Sequence, residues 1–245
     1  MKNLLLDIGN SDIKIASAIN GKTNVKLLKR FSYSKKNFER DLTKELSELY
    51  NPKFVNAGIS VQDTSKRIIL KRIIRKKFNL NPVFIERKSV QNLKIDYSEG
   101  LGIDRICNAV AAKEIYRKKN MLVTDFGTAT TFTFISEGIL KGGLICPGMN
   151  TSRDALSVNT KLPAVNVKLP DRLYYSNTID NIRAGIYFQS FYSVKGIIRE
   201  FKKEFKDLFV ITTGGLSKFF KAEKIESDIN DINLTLKGIN FIISQ

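Results

Sequence analysis

Apolar and polar positions along this chain change period from two to about 3.6 and back, which predicts strands and helices in alternation. Leu4-Leu5-Leu6 and the run 13–19 read as the two strands of a hairpin, and Asn20-Gly21 turns the chain into a further strand at 25–28. Phe38, Leu42, Leu46 and Leu49 recur at helical spacing, predicting an amphipathic helix over 36–49 that Pro52 ends. Residues 54–61 read as a buried strand, followed by a basic helix, a strand at 83–85 and a helix over 103–118 whose Ala109 to Ala112 stretch allows close packing. The second half restarts the plan, with strands at 121–125, 130–136 and 140–144 and turn signals at Glu137-Gly138 and Gly142-Gly143. A short helix opens at 152–157 and a long one covers 178–203. In the latter, Tyr187, Phe191, Val194, Ile198 and Phe201 repeat at intervals of four and three, a packing stripe for a core or a subunit interface. Residues 208–213 form a last strand into Gly214-Gly215, and 236–242 close the chain. No linker or low-complexity stretch intervenes, so two halves are expected to abut along a cleft.

Composition narrows the picture. A chain of 245 residues with 42% hydrophobic and 27% charged positions is globular rather than disordered. It is long enough for two domains of roughly 100–150 residues each. No apolar run reaches the roughly 18–20 residues of a membrane span, and the N-terminus enters a strand with no signal-peptide layout. A cytoplasmic protein with no membrane partner is therefore expected. Cys107 and Cys146 cannot build a zinc site without histidine, of which there is none, and they read as reduced thiols. The missing histidine also means that a general base working near neutral pH must be a carboxylate, Lys, Tyr or Cys.

The net charge of +17 raises the question of nucleic acid. The densest basic run, 66–78, sets Ile69, Leu70, Ile73 and Ile74 on one helical face with cations around them. Lys, Ile and Asn are abundant throughout the chain, so the charge reads as a solvated face that steers anionic ligands and not as a nucleic-acid site.

The chemistry concentrates in a near-repeat. Asp7-Ile8-Gly9-Asn10-Ser11 and Asp125-Phe126-Gly127-Thr128-Ala129-Thr130 each follow an apolar run and lead into β-branched alternation. A strand, an acidic glycine-containing turn and a second strand make a hairpin whose tip offers backbone N–H groups and a carboxylate. Two such tips can grip one polyphosphate, with Asp toward the metal, Gly allowing close backbone approach and Asn, Ser or Thr adding a short polar contact. That arrangement suits a nucleotide-dependent phosphotransferase.

Taken with Gly100-Leu101-Gly102-Ile103-Asp104-Arg105, Gly142-Gly143-Leu144-Ile145-Cys146-Pro147-Gly148 and Thr213-Gly214-Gly215, the two turns form an ordered set. It resembles type III pantothenate kinase, of the acetate and sugar kinase, Hsp70 and actin superfamily, over nearly the whole chain. The resemblance implies an α/β fold of two ribonuclease H-like (actin-like ATPase) domains with a cleft between them. Residues 1–118 would carry the first phosphate hairpin and the G-x-D-R motif, and 119–245 the second hairpin and the adenosine motif. It implies ATP-dependent phosphorylation of pantothenate to 4′-phosphopantothenate, the first step of coenzyme A biosynthesis, by a homodimer using Mg²⁺ and a monovalent cation, K⁺ or NH₄⁺.

The resemblance also implies roles. Asp7 would orient Mg²⁺, largely through water, while Ile8, Gly9, Asn10, Ser11, Asp12, Ile13 and Lys14 line the ATP phosphates. Asp104 would be the general base facing the pantothenate hydroxyl, although Arg105 beside it is expected to hold its pKa low. Arg105, Gly102, Ile103 and Tyr97 would line the pantothenate pocket, and Thr178 would reach substrate across the dimer interface. Asp125 would hold the monovalent cation, Thr128 an ATP phosphate, and Gly214 and Gly215 would let backbone approach the adenosine. Bland readings stand beside these: Asp7 as a turn cap, Lys14 as a surface lysine, and Asp104 and Thr178 as helix caps. Two departures from the family pattern bear on the acceptor pocket. Ser98-Glu99-Gly100 stands where many members carry Pro, and Ser176-Asn177-Thr178 where Gly-Lys-[NT]-Thr is usual. Two other functions remain open, a non-catalytic transcriptional accessory factor of the same fold and a related kinase for another small hydroxylated acceptor.

Overall fold

The structure is a computed structural model that describes residues 1–49 and 53–245, so the helix-ending role expected of Pro52 lies outside the described residues. The chain divides into two units: Met1–Arg117 with Gly138–Leu140 and Asn233–Gln245, and Lys118–Glu137 with Lys141–Ile232.

In the first unit the chain runs β1 (Lys2–Ile8), β2 (Asp12–Ile19), β3 (Val25–Ser32), α1 (Phe38–Ser47), β4 (Phe54–Val61), α2 (Arg67–Phe78), β5 (Val83–Phe84), β6 (Lys94–Ile95) and α3 (Ile103–Tyr116). Its sheet has the order β3-β2-β1-β4-β5, with β1 antiparallel to β2 and parallel to β4. Leu4, Leu5 and Leu6 are all fully buried, because β1 is a central strand with helices on both faces. On one face Leu4, Leu6, Ile13 and Ile15 meet Phe38, Leu42 and Leu46 of α1 and Leu70, Ile73 and Ile74 of α2. The apolar stripe expected of the basic helix is thus the one it buries, whereas Ile68 points to solvent. The other face receives α3.

The second unit contains β7 (Asn120–Phe126), β8 (Ala129–Ser136), most of β9 (Ile139–Pro147), α4 (Met149–Asn159), α5 (Thr178–Glu204), β10 (Phe209–Thr213), α6 (Ala222–Ile225) and β11 (Ile229–Asn230). Its strands follow the order β11-β10-β7-β8-β9. The long helix α5 lays Tyr187, Phe191, Val194 and Ile198 against Leu122, Phe132, Phe134 and Val210 of the sheet, so the aromatic stripe is core packing. Residues 160–177 connect α4 to α5 without helix or strand, a long irregular segment that the apolar pattern does not announce.

The chain then returns to the first unit through α7 (Leu234–Ile242), which packs on α3 and on β1 and β4. The approach is close enough that a Cβ on Gly238 would stand 1.9 Å from the Cys107 carbonyl oxygen. Asn3 ties this end down: its amide donates to Asn20 and to Asn240, each at 2.8 Å, and Asn240 in turn donates to the carbonyls of Ile19 and Lys22.

Strands β1–β5 and strands β7–β11 share one topology. In each, the first strand pairs antiparallel with the second and parallel with the fourth, which pairs parallel with the fifth. Asp7 and Asp125 are equivalent in this scheme, lying near the end of the first strand beside Ser60 and Thr213 of the fourth.

Candidate active site

The first acidic turn is a three-residue connection between β1 and β2. The Gly9 N–H donates to the Asp12 carbonyl at 3.0 Å, and a Cβ on Gly9 would stand 3.1 Å from that oxygen, tight enough to favour glycine. Ile8 and Ile13 put their side chains into the core, so only their backbone faces the turn. Asn10 and Ser11 are exposed at the tip. Asp12 is occupied by a fork from Arg30, at 2.6 and 3.1 Å, and by the Ser32 hydroxyl at 2.7 Å. Desolvation pushes its pKa up, but those hydrogen bonds and the Arg30 charge outweigh it and leave the group below the usual carboxylate range. Lys14 sits directly across the ladder from Asp7, and its Nζ is 3.5 Å from Asp7 Oδ2. It is therefore an ion-pair partner, not the plain surface lysine of the bland reading.

Asp104 is the second residue of α3. The N-cap is Gly102, and the Ile103 N–H is satisfied by Gln62 Oε1 at 3.1 Å, so Asp104 is not the cap. Its Oδ1 accepts the Arg105 N–H at 2.9 Å, and a Cβ on Gly102 would stand 2.5 Å from that same oxygen. A side chain at 102 would thus displace the carboxylate.

The expectation that Arg105 holds the Asp104 pKa low is overturned. The carboxyl is raised, chiefly by desolvation; the Arg105 N–H opposes this, the negative charge of Asp7 adds to it, and the Arg105 charge offsets only part. Asp104 keeps one face open to water, while the protein atoms around the rest of the group supply the desolvation. Arg105 itself is 3% exposed, with its guanidinium 5.5 Å from the centre of the Tyr97 ring. One turn further on, burial pushes the Cys107 thiol well above its ordinary pKa, the charges of Asp7 and Asp104 push it the same way, and a Ser60 hydrogen bond opposes them. Cys107 is a neutral core thiol, as expected. The first unit thus brings Asp7, Lys14, Asp104, Arg105 and Tyr97 into one electrostatic neighbourhood.

The second acidic turn, between β7 and β8, is closed by the Gly127 N–H donating to the Ala129 carbonyl at 3.1 Å. Thr128 is exposed at its tip, and its carbonyl accepts the Gly148 N–H at 3.1 Å and the Thr151 hydroxyl at 2.5 Å. A Cβ at Gly148 would lie 2.5 Å from the carbonyl oxygens of both Gly127 and Thr128, so that glycine lets the start of α4 abut the tip. Gly214, at φ +93°, has its Cα against Asp125: an added Cβ would be 2.4 Å from Asp125 Oδ1. Asp125, Thr128, Gly148 and Gly214 are therefore gathered at one end of β7, with Gly215 next along the chain. Thr178 is exposed as the first residue of α5, and the cap is Asn177, whose side chain accepts the Asp180 N–H at 2.9 Å.

Among the described residues no three acidic or cysteine side chains gather into a metal cage. A single half-buried carboxylate, Asp7, beside an exposed turn is nonetheless the donor set of an ion that keeps its waters and takes its remaining ligands from phosphate. The residues present fit Mg²⁺ held with a nucleotide. Tyr33, Lys66 and Gln62 belong to none of the motifs, yet each meets the residues of this site. Lys66 stands in the basic run, whose cations read as solvated, but is 8% exposed, and Tyr33 lies in a polar stretch without periodicity.

The family model described as type III pantothenate kinase matches residues 3–200. A type III pantothenate kinase of Petrotoga mobilis is 36% identical over 247 residues, covering 96% of this chain and 95% of its own. Among solved structures, a Campylobacter jejuni protein assigned to the Baf family of transcriptional activators is 25% identical, with a TM-score of 0.61 over 98% of this chain and 96% of its own. The ROK hexokinase of Thermus thermophilus, 12% identical with a TM-score of 0.52 over 99% and 98% of the two chains, shares the fold. The architecture is the two-domain, ribonuclease H-like α/β fold of the actin-like ATPases and sugar kinases. By the family match and its agreement with a full-length relative, the chain belongs to the type III pantothenate kinase family.

Proposed function

We propose that this chain performs the reaction of its family, transfer of the ATP γ-phosphate to the 4′-hydroxyl of pantothenate, with Asp104 as general base. The observation that carries the assignment is the placement of Asp104: at the start of α3, its Oδ1 held by the Arg105 N–H at 2.9 Å and near enough to the first turn to feel the charge of Asp7, which with desolvation raises its pKa. A carboxylate of raised pKa accepts a proton more readily than an ordinary one. Asp104 takes the hydroxyl proton as the oxygen bonds to the γ-phosphorus and the bond to ADP breaks. In a loose transition state little basicity is needed, so positioning matters more than strength.

The backbone N–H groups of Asn10 and Ser11, with Lys14, hold the ATP phosphates; Gly9 lets the backbone approach them closely, and Ile8, Asp12 and Ile13 contribute backbone only. Mg²⁺, near Asp7 and mostly hydrated, would neutralise phosphate charge when bound. Arg105 and Tyr97, with Gly102 and Ile103, line the acceptor site. Thr128, Gly214 and Gly215 face the nucleotide. Asp125 is assigned to a monovalent cation, K⁺ or NH₄⁺. A homodimer, with Thr178 reaching the neighbouring copy's substrate, and a cytoplasmic setting complete the reading.

The test is ADP release by purified protein with ATP, Mg²⁺ and K⁺, offered pantothenate against a panel of sugars and polyols. Pantothenate-dependent release that drops by at least about a hundredfold in Asp104→Asn supports the base assignment. Loss on replacing K⁺ by Na⁺ supports the cation. A second reading, a transcriptional accessory role, draws on the Baf family naming of the Campylobacter jejuni relative and on the charge of +17. No turnover, with retained DNA binding at physiological salt, would establish it in place of the kinase.

A further inference from the structure

Tyr33 and Lys66 belong to none of the motifs above, yet they meet the first acidic turn. Tyr33 follows β3, and its hydroxyl donates to the Gly9 carbonyl at 2.8 Å while its N–H donates to the Ser11 carbonyl at 3.4 Å. Lys66 immediately precedes α2. Its Nζ donates to the Tyr33 hydroxyl at 2.8 Å, lies 4.9 Å from the Tyr33 ring centre and 5.1 Å from that of Phe38, and is 3.5 Å from Asp63. Phe38 fixes the Tyr33 ring edge-on at 5.3 Å.

The chemistry of the donors sets a direction. An ammonium can only donate, so the Tyr33 oxygen accepts from Lys66 and its own proton is committed to Gly9. In a trans peptide the C=O and N–H point opposite ways, so anchoring the Gly9 carbonyl fixes where the Asn10 N–H points. The Gly9 N–H is already held by the Asp12 carbonyl at 3.0 Å, so both polar groups of Gly9 are restrained before any ligand arrives. A buried cation two hydrogen bonds from the turn also favours an anion there. Lysine is seldom this buried unless paired, and here its partners are the brace itself and Asp63.

We propose that Tyr33 and Lys66 form a brace that preorganises the turn at residues 9–11 for the ATP phosphates, making them positioning residues for nucleotide and not for pantothenate. The inference rests on the assignment of this turn to ATP. Tyr33→Phe deletes the hydroxyl and keeps the ring; Lys66→Met keeps the stem and removes the charge.

Each variant is expected to raise the KM for ATP and the Kd for Mg-ATP, measured calorimetrically without pantothenate, by about tenfold, the worth of a charge-assisted hydrogen bond. The KM for pantothenate should stay within about twofold, and the double variant should be little worse than either single one. If Lys66→Met fails to fold, Tyr33→Phe alone decides. Equal rises in both KM values, or an unchanged Kd for Mg-ATP, overturn the brace. Gly9→Ala separates the two levels of the argument. If it weakens Mg-ATP binding while Tyr33→Phe does not, the brace fails and the turn's assignment survives. If neither weakens binding, the assignment fails and takes the brace with it.

Discussion

At the scale of single residues, Asp104 joins a catalytic assignment to a stability effect. Its pKa is raised in the folded protein, so the native state binds that proton more tightly than the unfolded chain does. The stability this group contributes is fully present below its unfolded pKa and is lost as pH rises through the folded value. At neutral pH the ionised carboxylate is a net liability. Asp104→Asn is therefore expected to melt at a higher temperature than the wild-type protein at pH 7, with the difference closing as pH falls. The same shift moves the acidic limb of the kcat/KM profile above the ordinary carboxylate range, and a limb at the ordinary value would remove Asp104 as the base. The sequence made this residue visible as a motif but misjudged its environment. Arg105 is adjacent along the chain, whereas the desolvation and the Asp7 charge that outweigh it come from residues brought near only by folding. Lys66 was illegible for a similar reason: in a basic run, nothing local distinguishes the one cation that α1 and the residues before it enclose.

Elements with a sustained period were legible. The two hairpins, β4, α2, α3 and α5 lie within a few residues of their expected positions, because each buries a run of apolar residues long enough to show its period. Of the two-residue strands, β5 lies in an apolar run, 83–85, and was legible, whereas β6, β11 and the one-turn α6 lie in mixed stretches too short to leave any period, and the irregular segment 160–177 leaves none at all. The closeness of helix packing was visible only in outline, through Ala109 to Ala112, and α7 supplies the other half. Gly238→Ala would drive a methyl group into backbone at α3, which cannot move like the end of a flexible side chain. Denaturant unfolding is expected to show a loss of about 3 kcal/mol or more, at or above the upper part of the overpacking range. A loss below about 1 kcal/mol would mean that α3 and α7 pack less tightly than described.

At the scale of the whole molecule, the duplicated sheet order explains why the sequence reads as one plan stated twice, with Asp7 and Asp125 in equivalent places. The chain does not, however, divide at a single point. Residues 233–245 belong with the first unit, where Leu234, Leu236, Ile239 and Ile242 are buried and Asn240 joins the Asn3 amide network. At about 1.5–3 kcal/mol per buried aliphatic side chain, their removal costs an amount comparable to the whole stability of a domain. Deleting residues 233–245 is expected to abolish the cooperative melt of the first unit and expose its amides to rapid hydrogen exchange. Protection that survives in β1 and β4 would refute the dependence. The same return path has a consequence for biosynthesis. During translation the first-unit sheet and α3 can leave the ribosome early, but α7, which completes the cover over one face of that sheet, is not made until the second unit has followed it. Until then that face must be shielded by a chaperone or stay only loosely ordered.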